Sequence, residues 1–256
     1  MYVRLLVAAS CLMAVGSLPG IAAAGTAEEQ IAEAAAQNKF AFIMFWRQDD
    51  AATRAMQQTL EREIDARADR ATLLRVRITD RTQAALVQRF DATRSPMPTV
   101  VALAPNGAVT GMIPAAITPE QIDSAIISPG FATCIKAMQD RKIVLLCVQP
   151  TAGAAIPEGV QQFVSDPHYT GRTQIVSLTA DDDTELNFFQ QVKVDPRSTT
   201  ASIVFMAPPG THLGTFDASV TSETLVSTLL AAGKCCPDCK RQQQSRQARK
   251  KRRRRR

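Results

Sequence analysis

The feature that most constrains this chain is that its second half repeats its first. Lys142 lies 103 positions after Lys39, and the same offset carries Asp80 onto Asp183, Arg94-Ser95 onto Arg197-Ser198 and Pro105 onto Pro208. It also carries Gly107 onto Gly210, Gly111 onto Gly214, Thr118 onto Thr221 and Glu120 onto Glu223. Apolar stretches follow the same offset: 42–45 falls on 145–148, and 100–101 on 203–204. The identities fall on turns, helix starts and strands, where chance matches would scatter. We read a near-gapless duplication with a boundary near Ser128-Pro129-Gly130.

Within one repeat the elements read in a definite order. Thr26-Ala27-Glu28-Glu29 is a capping box ahead of an Ala-rich helix. A strand over 40–46 follows. Asp49 or Asp50 caps the next helix, which has Met56, Leu60 and Ile64 on one face. A strand is expected over 73–79, where Leu74, Val76 and Ile78 alternate with the exposed Arg75 and Arg77. A short helix spans 84–90, and a strand spans 100–103. Pro105-Asn106-Gly107 is a hairpin turn before a return strand over 109–113. Thr118-Pro119-Glu120-Gln121 starts the last helix, with a cap and a proline in the first turn. The first half of this order alternates helix and strand, which favours parallel strands with helical crossovers. The second half is an antiparallel hairpin and a helix.

These residues resemble the thioredoxin superfamily over the whole first repeat. Phe45-Trp46 is similar to the Phe-Trp before that family's active-site turn, Met97-Pro98-Thr99 to its cis-proline loop, and Asn106-Gly107 to its hairpin. The resemblance implies an α/β protein of two tandem thioredoxin-like domains, each a mixed sheet flanked by helices, and a cis bond at Pro98. It also places Asp50 and Thr53 where the family has its two cysteines. A carboxylate and a hydroxyl cannot exchange with a disulfide. In the second repeat the turn is Gln149-Pro150-Thr151-Ala152-Gly153, and Ala201 stands in place of Pro98. Neither turn is expected to be redox-active. By the same resemblance, the surface formed by Trp46, Asp49, Asp50, Met97 and Pro98 is the candidate site for an extended peptide or protein partner.

The ends of the chain differ in character from this body. Arg4, the apolar stretch 5–15, the break at Pro19-Gly20 and Ala22-Ala23-Ala24 form a secretory signal over 1–24. The alternatives are an uncleaved anchor or a lipid-modified Cys11. The domains are then 25–128 and 129–233, with 234–256 as a cysteine cluster and basic tail. Residues 240–256 hold eleven positive charges and no acid, so a chain of net charge +6 leaves −5 for the rest. The tail is expected to be disordered and to make nonspecific contact with polyanions. It has no aromatic residue for stacking on bases, so sequence-specific nucleic-acid binding is not expected.

Cysteine chemistry leaves alternatives open. Cys134 and Cys147 read as buried free thiols or as a disulfide pair. Cys235-Cys236-Pro237-Asp238-Cys239 reads as a structural disulfide, a redox pair formed by Cys236 and Cys239, or a metal site one ligand short of the usual four for zinc. His168 and His212 read as solvated loop residues, and Asp181-Asp182-Asp183 as helix-capping carboxylates. No phosphate loop or dinucleotide motif is present, and no cofactor or metal is assigned. The expected role is an exported, redox-inactive binding or scaffolding module in the cell envelope, periplasmic or extracellular. The alternative is a thiol-disulfide oxidoreductase using Cys236 and Cys239.

Overall fold

The computed structural model describes residues 26–233. The expected signal segment 1–24, the cluster of Cys235, Cys236 and Cys239, and the basic tail lie outside those residues.

The first half runs α1 (Ala27–Ala36), β1 (Phe40–Trp46), α2 (Ala51–Asp65), β2 (Ala71–Arg77), α3 (Ala84–Arg89), β3 (Thr99–Leu103), β4 (Val109–Pro114) and α4 (Pro119–Ala125). The second runs α5 (Pro129–Gln139), β5 (Ile143–Gln149), α6 (Glu158–Ser165), β6 (Thr173–Thr179), α7 (Leu186–Gln191), β7 (Ser202–Ala207), β8 (Thr211–Asp217) and α8 (Ser222–Gly233). Each half forms one four-stranded sheet, ordered β2-β1-β3-β4 and β6-β5-β7-β8. In both, the two strands joined by a helical crossover are parallel, and the next two pairings are antiparallel.

The central strands explain the layering. Every residue of β1 from Phe40 to Phe45 is buried, as is all of β5. Side chains alternate between the faces of a strand, so a wholly apolar strand needs cover on both. Phe42 and Met44 pack with Met56, Leu60 and Ile64 of α2. Ala41, Ile43 and Phe45 pack with Ala34 of α1 and with Leu86, Val87 and Phe90 around α3. The second sheet repeats this. Val144, Leu146 and Val148 face α5 and α7, while Leu145 and Cys147 face Val160, Phe163 and Leu225.

Local chemistry sets the ends of the elements. Both expected capping boxes are present, Thr26 with Glu29 and Thr118 with Gln121. Asp182 accepts from the Thr184 N–H at 3.0 Å, as a capping carboxylate should. Gly107 closes the first hairpin at φ +78°, a conformation that suits glycine. Two expectations are corrected. The second strand covers 71–77 rather than 73–79, because the parallel register begins at Phe40 opposite Ala71 and ends at Trp46 opposite Arg77. Asp80 then caps the following turn through Thr82. His212 lies in β8 rather than in a loop, because the tight turn through the cis Pro208-Pro209 bond and Gly210 returns the chain to the sheet at Thr211.

One helix serves both halves. Ala132 and Ile135 of α5 join the first half's core, while Cys134 and Ala137 join the second's. The Gln139 side-chain amide bonds both backbone groups of Val109 on β4, accepting from its N–H at 3.0 Å and donating to its carbonyl at 2.8 Å. At the other end of α5 the buried Glu185 carboxylate accepts from the Gly130 N–H at 2.6 Å and from the Ser128 hydroxyl.

The tightest approach is between α6 and the start of α8. A Cβ on Gly159 would stand 2.0 Å from the backbone oxygen of Val220. Backbone cannot rotate away from such a clash, so Gly159→Ala is expected to lose about 1–3 kcal/mol or more. Urea denaturation measures this, and wild-type stability in the variant would contradict the packing.

Candidate functional site

The site expected from the sequence lies where β1 runs out of the sheet. Phe45 stands opposite Thr99, so Trp46 and Pro98 continue from the same end. The Met97–Pro98 peptide bond is cis. The Pro98 carbonyl accepts from the Ala115 N–H at 2.8 Å, and the Thr99 hydroxyl donates to the Ile113 carbonyl at 3.3 Å. These bonds tie the loop before β3 to the end of β4.

The turn between β1 and α2 is built as a helix start. Asp50 is the N-cap of α2, and its carboxylate accepts from the Thr53 N–H at 2.8 Å. That hydrogen bond from Thr53, with the Arg54 charge adding to it, holds the Asp50 carboxyl below the usual carboxylate range. Asp49 is exposed, and Arg54 donates to its backbone carbonyl at 2.8 Å and reaches its carboxylate at 3.4 Å. An exposed pair of this kind adds little stability.

Trp46 is half-buried and packs on the α2 side of the sheet. Arg77 lies over its ring with the guanidinium carbon 5.2 Å from the centroid, a cation–π contact. Beside them a cleft of about 410 Å³ is lined by Trp46, Gln57, Arg75, Arg77, Asp80 and Gln83. Arg77, Gln57 and Gln83 were not among the residues expected from the sequence. The signal for Arg77 was its exposed place in an alternating strand; its position next to Trp46 follows only from the parallel register.

The five expected residues do not form one patch. Met97 packs with the cluster on the opposite, α1 and α3, side of the sheet from Trp46. Pro98 is buried, whereas Asp49 and Asp50 are exposed. Trp46, Asp49 and Asp50 therefore supply the accessible surface, and Pro98 shapes the backbone beneath it.

No protein-family model and no curated protein matches the chain. Among solved structures it is similar to the oxidised mitochondrial thioredoxin 3 of Saccharomyces cerevisiae, at 20% identity over 39% of this chain and 87% of that one, with a TM-score of 0.31. It is similar to the disulphide isomerase of Xylella fastidiosa, at 16% identity over 47% of this chain and 98% of that one, with a TM-score of 0.32. It is also similar to human ERp44, at 14% identity over 82% of this chain and 56% of that one, with a TM-score of 0.35. What decides the architecture is the strand order and direction in each sheet, with the helices on both faces. Both halves have the thioredoxin-like fold.

Asp50 and Thr53, which the sequence resemblance aligns with the two cysteines of that family, form the cap of α2 itself. The second thioredoxin-like half has a different turn. Gln149 is 2% exposed and its side-chain nitrogen has no hydrogen-bond partner among the described residues. Helix α6 begins after Pro157 with no side-chain cap.

Cys134 and Cys147 are free, buried thiols on opposite faces of the second sheet, so the disulfide alternative does not form between them. Burial pushes both thiols up from 9.0 to about 12, with the Glu185 charge adding to the rise at Cys134. Thiolate is the reactive form, so an alkylating reagent at pH 8 should leave both unmodified in the folded protein and modify both in urea. Peptide mapping separates them from the other cysteines; rapid native labelling of either would contradict the packing. The sign of the pH effect follows. Below pH 9 both thiols are neutral folded or unfolded; between about 9 and 12 the unfolded chain sheds protons that the folded one keeps, so their contribution to stability falls as pH rises.

Proposed function

We propose that the protein is a redox-inactive thioredoxin-like binding module that holds extended or unfolded polypeptide at the Trp46 end of its first domain. The observation that carries this reading is the Asp50–Thr53 cap. The turn that elsewhere in this fold holds a dithiol is closed by a carboxylate hydrogen bond, which stabilises the helix and offers no electrons. The half-buried Trp46 ring gives a partner a large amphipathic contact, and the neighbouring cleft supplies Arg77, Gln57 and Gln83 for polar contact. Export is part of the proposal and rests on the signal-like segment 1–24. So is nonspecific polyanion contact through residues 240–256, by charge alone.

Two measurements on the full chain separate this from the thiol-disulfide alternative. The first is turnover of a small disulfide with excess reductant. None is expected above background; turnover abolished by Cys236→Ser would establish the relocated pair and end the redox-inactive reading. The double change Asp50→Cys with Thr53→Cys should confer turnover, because it restores a dithiol at a helix N-terminus. The second is binding to an immobilised, reduced and carboxymethylated polypeptide. Trp46→Ala should weaken it at least tenfold with the fold intact by circular dichroism. Equal binding by Trp46→Ala, or no binding by wild type, would remove Trp46 from the site.

A further inference from the structure

A second surface, independent of the Trp46 end, has a chemistry of its own. At the end of the second sheet where β5 begins and β7 finishes, a groove of about 1520 Å³ opens along α5 and past the C-terminal ends of α7 and α8. Its floor is apolar. Phe131 and Phe188 stack there with centroids 4.5 Å apart, beside Met206, and Leu213 and Leu229 line the α8 side. Leu230 of α8, 56% exposed, forms part of the wall.

The rim carries charge of one sign. Arg141, Arg172 and Lys193 line the groove, all three exposed, and none pairs with a carboxylate among the described residues. None of the groove's described lining residues is acidic. We propose that this groove binds a long-chain anionic amphiphile, a fatty carboxylate, with the hydrocarbon along the Phe131–Phe188 floor and the carboxylate against Arg141, Arg172 and Lys193.

Three observations favour that occupant. An extended peptide brings backbone N–H and C=O groups that must be paired when buried. Of the groove's polar uncharged side chains, the Gln139 amide is engaged with Val109 and the His212 ring with Thr215, which leaves Tyr169, Gln191 and Thr211 to serve a whole backbone. A hydrocarbon chain makes no such demand. A second copy docked about a two-fold axis presents the same patch to itself, which sets these three cations against their own kind. The chain's own basic tail, starting beyond Gly233 at the groove's edge, carries that same sign.

Equilibrium dialysis of the full chain against labelled hexadecanoate, below its micelle concentration and at low salt, tests this. One saturable site is expected. Dodecanoate should bind at least tenfold more weakly, because each fully buried methylene is worth roughly fourfold in affinity. The combined change Arg141→Gln, Arg172→Gln and Lys193→Gln should weaken hexadecanoate roughly tenfold, three exposed charges each giving a few-fold at most. Leu230→Glu, at an exposed position that the fold tolerates, should abolish the site. Absence of saturable binding overturns the proposal. So does binding that neither set of substitutions alters, since that places the ligand on the tail. A dimer in sedimentation that Leu230→Glu dissociates also overturns it, since it assigns the face to a second copy.

Discussion

Neither central strand has a side that tolerates water. Seven consecutive residues of β5 are buried, and β1 is buried from Phe40 to Phe45. A strand of this kind cannot end a structure or lie on its surface; it must be flanked by strands at both edges and by helices on both faces. The remaining elements answer that demand in each half. The parallel neighbour, reached through a helix, covers one face in passing, and the antiparallel hairpin closes the other edge. Gly159, the most occluded of the described glycines, lies where that cover is tightest, under the turn into α8.

Much of this was legible because it depends on local residues. The caps at Thr26 and Thr118, the glycine turn at Gly107 and the apolar runs at β1 and β5 each act through neighbours a few positions away. The duplication made one reading serve twice. What was not legible depends on register and on distant approach. The boundaries of β2 are set by which residue of β1 meets Ala71, and no residue of β2 encodes that alone. The turn at Pro208-Pro209 displaced His212 from a loop into a strand for the same reason.

The candidate site shows the same division. Trp46, Asp49 and Asp50 were proposed from the sequence because a strand running into a capped helix start is a local pattern and resembles the family's turn. Arg77 was read as an exposed strand residue, and only parallel pairing sets it over the indole. Met97 and Trp46 belong to one surface in the family resemblance, yet Met97, in the loop before β3, packs on the α1 and α3 face and Trp46, at the end of β1, on the α2 face. The groove of the second half is formed by the length of α5, the ends of α7 and α8 and a turn, so no continuous stretch of sequence announces it.

The contact between Gln139 and Val109 has a consequence for how the protein behaves in a crowd. Strand β4 is an outer strand, and its free backbone groups invite a strand from another molecule to extend the sheet. Gln139 occupies both the donor and the acceptor of Val109, imitating the strand that would otherwise arrive. The far end of β4 is Pro114, which has no N–H to offer. An incoming strand therefore finds the first rung taken and the last one missing. The helix that joins the two halves thus also works as a guard against runaway sheet growth.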